Sequence, residues 1–295
     1  MKLRNRKLDG LIRRIVPSTA TLSYNTVFKI LGYVNDKLIF FLIPEFRSLP
    51  PNHLRVRVGV GNKLFNNQAH CLMSGYNFWI DLFARRICTL SSNITEIGCG
   101  YGRKAIHLKN YSMQGEKFNG SYHGVDIDSE LLANARKKFE SAPEFSFQLS
   151  PHASKTYSAD GLTNASKISE SCRIDRKDNS QDLVFSTSLF THLLEAELLN
   201  YVSESFRILK PGGTMQMNIF LYEFLEESGN LGSRFNFKHN LGNSLIESTK
   251  FPEAAVAYKG DYLVGLCKGV GFKNVVFRKD TESNKMVQSF LVCEK

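Results

Sequence analysis

Residues Ile94 to His107 read I-T-E-I-G-C-G-Y-G-R-K-A-I-H. A short apolar run carries an acid, Glu96, near its end, and three glycines follow on alternate positions before a segment that suits a helix. This is a strand, a tight loop and a helix start, and the reading of that loop decides the fold. Gly98, Gly100 and Gly102 let the backbone turn sharply and approach a bound nucleoside where a Cβ would collide. The spacing discriminates between ligands. A dinucleotide fingerprint, G-x-G-x-x-G, needs a glycine at position 103, and Arg103 stands there, so NAD and FAD are disfavoured. No G-K-S/T follows, so a P-loop is excluded as well.

Reading outward, Tyr122–Val125 is a second apolar run that ends on Asp126. An acid at the end of the strand after the glycine loop offers two acceptor oxygens to two ribose hydroxyls. Asp128 then opens a helix, Ser129–Phe139, as its cap. Gln181–Thr187 (QDLVFST) is a buried-type strand, followed by F-T-H-L and a helix that ends in F-R-I-L-K-P-G-G at Phe206–Gly213. Taken singly, these pieces are also explained by a tight turn, a helix cap and a helix stop. Their joint occurrence in this order is what those separate explanations do not supply.

Loop, Asp126 and K-P-G-G at these distances resemble the class I S-adenosylmethionine-dependent methyltransferases, over about residues 75 to 295. The patterns read as strands 93–98, 121–126, 145–149, 182–188, 214–221, 273–279 and 286–293, with helices 102–110, 129–140, 193–209 and 259–270. Alternation of this kind predicts an α/β fold, a parallel sheet covered on both faces. The last two strands have no helix between them and should form an antiparallel hairpin. The resemblance implies a Rossmann-like seven-stranded, mostly parallel sheet with that C-terminal hairpin.

It also implies S-adenosylmethionine as cofactor, and roles for particular residues. Glu96 would order the loop near the methionine amino group, and Gly98, Gly100 and Gly102 would pass beneath methionine and ribose. Asp126, with Ile127 beside it, would meet the ribose, and Arg103 would pair with the methionine carboxylate. The chain departs from the family at one place. An acid after the third strand usually meets the adenine amino group, whereas Phe147 onward reads F-Q-L-S-P-H-A-S, leaving Ser150, Ser154 or backbone to substitute. A weaker resemblance, to methyltransferases of bacterial small molecules and cell-surface polysaccharides, is carried by S-L-F-T-H-L from Ser188, P-E-A-A-V-A-Y at Pro252–Tyr258 and the terminal S-F-L-V-C-E-K.

Methyl transfer from a sulfonium mainly needs alignment and exclusion of water, with a base where the nucleophile must lose a proton. His192, just past the strand 182–188, is the best-placed candidate base. His239, Tyr222, Glu223 and Asp261 are further polar candidates without a decisive motif. Tyr76 and Trp79, in the helical stretch Gly75–Ile87 (GYNFWIDLFARRI), are candidates to touch the cofactor, although an aromatic helical stripe is more often plain core.

Charge is distributed unevenly. Residues 1–60 hold 11 Lys/Arg against 3 Asp/Glu, while residues 61–295 hold 27 against 25. The near-neutral catalytic region argues against nucleic acid as a partner, since phosphate binding needs a basic face. It favours a small-molecule or glycan acceptor; RNA or protein methylation and a non-catalytic cofactor-binding scaffold are the alternatives. Residues 1–74 are expected to form a basic N-terminal extension with helical character, and 75–295 the methyltransferase domain. Leu8, Leu11, Ile12 and Ile15 recur at helical spacing among basic residues, with Pro17 as a stop, so residues 1–17 are a candidate contact with an anionic membrane surface. Otherwise this helix packs on its own domain. No secretory signal is convincing, and the expected setting is cytoplasmic or peripheral to the membrane.

The six cysteines show no zinc spacing, no metal is expected, and they read as reduced core thiols. Leu54–Val60 (LRVRVGV) alternates and reads as an edge strand. Two long connections, 150–180 and 222–258, follow strand C-terminal ends, where ligands sit in open α/β sheets, and read as lids.

Overall fold

The computed structural model describes residues 22–58, 63–152, 171–232, 235–279 and 288–295. The expected helix in residues 1–17 and the candidate Ser154 lie outside them, as does most of the connection 150–180. The chain divides into two compact units, Met1–Ile80 and Asp81–Lys295.

In the first unit, α1 (Thr26–Leu42) is capped by Asn25, whose side chain accepts the Phe28 N–H at 3.1 Å. A 3-10 turn, Pro44–Ser48, and a one-turn helix, Asn52–Arg55, follow. α2 spans Gln68–Ala84. Phe28, Leu49, Val56 and Cys71 form a small core. Beside it the Arg55 guanidinium is fully buried and paired with Asp36 at 2.5 Å, with Asn67 and the Pro50 carbonyl taking its other N–H groups. This ion pair explains why the alternating segment 54–60 does not begin as the expected edge strand. Arg55 must turn inward to Asp36, and a helical turn after Pro50–Pro51 places it there, while Arg57 reaches Ser23 instead.

The second unit is built on a sheet. Its parallel strands are β1 (Asn93–Ile97), β2 (Ser121–Asp126), β3 (Phe145–Leu149), β4 (Gln181–Ser186) and β5 (Leu209–Leu221). Between them run α3 (Arg103–Lys109), α4 (Ser129–Lys138) and α5 (Glu195–Ile208). β1 pairs with both β2 and β4, β2 continues to β3, and β4 continues to β5. The chain therefore winds outward in one direction from β1 and then in the other from β4. The carboxyl ends of β1 and β4 flank the point where this reversal leaves a crevice.

β5 starts earlier than expected. Leu209 already pairs with Gln181, residues 210–213 bulge out, and pairing resumes at Thr214 with Leu183. The connection 222–258 is not a structureless lid. It holds α6 (Tyr222–Glu227), β6 (His239–Leu241), β7 (Ser244–Ile246) and β8 (Val256–Tyr258). β8 runs parallel to the end of β5 at Phe220–Leu221, and β7 and β6 extend from it as antiparallel strands. α7 (Gly260–Val270) leads to β9 (Asn274–Lys279), which forms a hairpin with β10 (Ser289–Glu294). β10 lies antiparallel against β5. The order β3-β2-β1-β4-β5-β10-β9 is the seven-stranded arrangement expected, and the three strands of the insertion bring the sheet to ten. Val184, Leu198, Val202, Met215, Met217, Ile219 and Leu291 fill the core between the sheet and α5. All six cysteines are buried and free.

Candidate active site

The glycine loop is held in place from β2. The N–H groups of Gly98 and Cys99 both donate to the Val125 carbonyl, at 2.7 and 3.1 Å. The three glycines have φ of +80°, +56° and +76°, a left-handed backbone that side chains resist. Space is short as well. A Cβ on Gly98 would lie 3.1 Å from Leu189 Cβ, and one on Gly102 would meet Phe139 and Phe147 at 3.4 Å.

Asp126 stands at the end of β2, where one oxygen accepts the Gly100 N–H at 2.7 Å and the other the Asp128 N–H at 2.9 Å, with the Ile127 N–H also directed at the carboxylate. A carboxylate offers about four lone-pair sites, so capacity for a further donor remains. Burial pushes the Asp126 carboxyl up to about 6, against the pull of these backbone N–H groups. Ile127 follows it, partly buried.

Glu96 is placed differently from the loop it precedes. Its carboxylate accepts a short hydrogen bond from the Tyr122 hydroxyl and faces Lys104 Nζ at 3.7 Å, all three side chains being buried. Burial raises the Glu96 carboxyl above its usual range, and the charge of Lys104 opposes that rise. Burial likewise lowers Lys104 to about 8, with Glu96 acting the other way. Arg103 opens α3 next to this pair, and its charge bears on both partners. Lys104 was not singled out as a functional position, because a lysine inside a helical run reads as a solvated one.

The segment after β4 bends over the loop. Ser188 has φ of +60° and its hydroxyl donates to Gln288 at 3.0 Å. Leu189 packs on Gly98, and His192 follows three residues later. The His192 Nδ1–H donates to the Glu253 carbonyl at 2.9 Å, and Val256 N–H donates to the Thr191 carbonyl at 2.8 Å. The insertion therefore clasps the histidine segment. Since a carbonyl can only accept, Nδ1 carries the proton and Nε2 is the basic nitrogen. Burial lowers the His192 pKa, which keeps the ring neutral at pH 7.

Other candidates are accounted for. Glu223 accepts the Gly260 N–H at 3.1 Å and caps α7, while His239 lies exposed on β6. Ser150 is buried and bonded to the Tyr201 hydroxyl at 2.9 Å. Trp79 is fully buried and Tyr76 is 45% exposed. Two groups escaped sequence reasoning. The hydroxyls of Ser186 and Thr187, at the end of β4, are buried with no hydrogen-bond partner among the described residues. Buried polar atoms are costly unless satisfied, and a polar ligand at this strand end would satisfy them. A left-handed glycine loop, a strand-end carboxylate with spare acceptor capacity and two unsatisfied hydroxyls together fit S-adenosylmethionine.

The family profile described as a methyltransferase domain matches residues 95–217, from β1 to β5. Over these residues the chain is similar to a methyltransferase domain, and S-adenosylmethionine is the cofactor that this similarity implies. Solved structures of similar fold include an S-adenosylmethionine-dependent methyltransferase from Methanosarcina mazei, 18% identical over 72% of this chain and 96% of that one, with a TM-score of 0.47. A putative O-methyltransferase from Nostoc punctiforme is 14% identical over 76% of this chain and 57% of that one, TM-score 0.49. Phosphoethanolamine N-methyltransferase 2 of Haemonchus contortus, in complex with S-adenosyl-L-methionine, is 15% identical over 74% and 52%, TM-score 0.47. The chain spans only about half the length of the last two.

Proposed function

We propose that the enzyme methylates a hydroxyl of a sugar or another small polar metabolite. The observation that carries this reading is the insertion 222–258, which hydrogen-bonds to the His192 segment beyond the carboxyl end of β4. A near-neutral site suits a small acceptor better than an RNA or a protein surface. The bound cofactor supplies an electrophilic methyl group on a sulfonium. The chain's own residues do the rest. Gly98, Gly100 and Gly102 give the backbone its close approach, Asp126 takes two hydroxyl hydrogens, and Ile127 packs beside it. Arg103 offers charge to a carboxylate, and Glu96 orders the loop from beneath through Tyr122 and Lys104. His192, neutral and fixed by the Glu253 carbonyl, takes the acceptor's proton on Nε2.

We further place residues 75–295 as the catalytic domain, with residues 1–74 as a basic extension. The protein is assigned to the cytoplasm with a peripheral contact to anionic membrane through residues 1–17. Among the described residues no helix is long and apolar enough to cross a membrane.

Incubation with methyl-labelled S-adenosylmethionine and cell extract divided into small-molecule, glycan, RNA and protein fractions tests the acceptor class. Label in the small-molecule or glycan fraction is expected. Label confined to RNA or protein rejects it, and tight cofactor binding without any labelled product identifies a non-catalytic scaffold.

A further inference from the structure

α1 turns its faces the wrong way for a helix covering a core. Its buried side is mixed, with Phe28 in the small core and half-buried Ile39 and Phe40 alongside buried Gly32 and Asp36. Ile30, Leu31, Val34, Leu38, Phe41 and Leu42 recur at helical spacing and fall within an arc of about 120° on a 100°-per-residue wheel. All six are exposed, Phe41 at 80% and Leu42 at 74%. A contiguous apolar stripe of this size on a soluble protein marks an interaction surface.

Charge identifies the occupant. Among the described residues of this unit, Lys29, Lys37 and Arg47 lie on or next to α1, Lys37 over the Tyr33 ring and Arg47 bonded to the Phe40 carbonyl. Of the acids there, Asp36 is buried against Arg55, which leaves Glu45. Over residues 1–60 the excess is 11 basic against 3 acidic side chains. Two copies docked through α1 would bring two such basic segments together. An anionic bilayer instead offers both an acyl layer for the stripe and phosphates for the lysines and arginines. Tyr33 at the edge of the stripe is a residue suited to the headgroup level.

We propose that α1 is a membrane-surface helix, lying in the plane of an anionic bilayer with Leu38, Phe41 and their neighbours at the acyl boundary. This rests on the peripheral attachment proposed above and assigns the apolar contact to a described helix rather than to residues 1–17. The test is co-sedimentation of three full-length proteins with vesicles of phosphatidylcholine, with and without phosphatidylglycerol. The proteins are wild type, Leu38→Asp/Phe41→Asp and Arg13→Glu/Arg14→Glu, each checked for undiminished S-adenosylmethionine binding and for oligomeric state by light scattering. Wild type is expected to pellet with the anionic vesicles and to be released by salt, and the Leu38/Phe41 variant to bind about tenfold or more weakly. If that variant pellets like wild type, α1 is not the surface. Loss in the Arg13/Arg14 variant alone would then keep the peripheral reading with residues 1–17 as its seat. No pelleting of any protein overturns both ideas. A wild-type dimer that the Leu38/Phe41 change makes monomeric, with no vesicle binding, assigns the stripe to self-association and overturns the membrane role.

Discussion

Asp126 and Gly100, 26 residues apart, are joined by a 2.7 Å hydrogen bond from the glycine N–H to the aspartate carboxylate. The bond ties the strand-end acid of β2 to the loop that leaves β1, so the two supports proposed for the cofactor are joined directly. Its other oxygen is held by Asp128, whose own side chain caps α4 by accepting the N–H groups of Glu130 and Leu131. Loop, acid and helix start thus share a single chain of hydrogen bonds.

This arrangement gives cofactor binding a pH dependence. With the Asp126 carboxyl at about 6, it is ionised at pH 7 and protonated in mild acid. In the proposed ribose role, two hydroxyls donating to it would favour the ionised form, so affinity should fall as pH drops below about 6. The sign for stability of the cofactor-free protein is opposite. A carboxyl raised from 3.8 adds stability that is full below 3.8 and lost as pH rises through about 6. Asp126→Asn should weaken binding by roughly tenfold to a hundredfold at pH 7.5, as expected for hydrogen bonds to a charged acceptor, and flatten the pH profile. Calorimetric titration across pH 5 to 8 checks both, and an unchanged profile in a folded variant rejects the role.

His192 should act on turnover and not on cofactor affinity. A general base contributes about 10²- to 10⁴-fold, so His192→Ala should lower kcat by about that factor while S-adenosylmethionine binds as before. Because burial keeps the neutral ring favoured, activity should persist to below the ordinary histidine range before protonation removes the base. Rate measurements with the acceptor found by labelling decide it; equal kcat in the variant assigns His192 to clasping the insertion.

Asp128→Ala removes the side chain that satisfies two N–H groups of α4. Loss of such a cap costs about 1 kcal/mol, measurable as a lower thermal midpoint. Asp128→Asn retains a capping oxygen and should recover most of the loss. Recovery by Asn together with near-normal cofactor binding would confirm a local helix effect rather than a contact with the ligand.

Much of this architecture was legible because it depends on local patterns. The runs 121–126 and 145–149 fall where their pattern placed strands, the first largely buried, and the glycines at 98, 100 and 102 adopt the positive φ that their spacing required. What escaped depends on partners distant in sequence. Lys104 is inside because Glu96 of β1 and the Phe185 ring of β4 meet it from two strands, and no helical pattern records that. The strands of the insertion are three residues each and exist because β5 runs on past β4 and gives β8 an edge to pair with. Arg55 broke the alternation reading of 54–60 because Asp36, 19 residues earlier, draws it inward. The unsatisfied hydroxyls of Ser186 and Thr187 are likewise invisible without the surrounding walls.

The Asp36–Arg55 pair makes the first unit sensitive to a single change. Arg55 is fully buried, and Asp36 also accepts the Asn52 N–H at 2.8 Å and the Gln68 side chain at 3.0 Å. Removing one partner leaves the other charge buried without its counterion, which costs about 3 to 5 kcal/mol. Asp36→Leu should therefore unfold this unit at much lower denaturant, because it also strips the acceptor from Asn52 and Gln68. The double change Asp36→Leu/Arg55→Met removes both charges, and replacement of a buried ion pair by apolar residues is often close to neutral. It should recover a substantial part of the loss, less whatever Asn52, Asn67 and Gln68 forfeit as hydrogen-bond partners. Urea titrations of wild type, each single variant and the double variant give the coupling directly. If the double variant is no more stable than either single one, the pair is not what holds the unit together, and its hydrogen bonds to Asn52, Asn67 and Pro50 carry the stability instead.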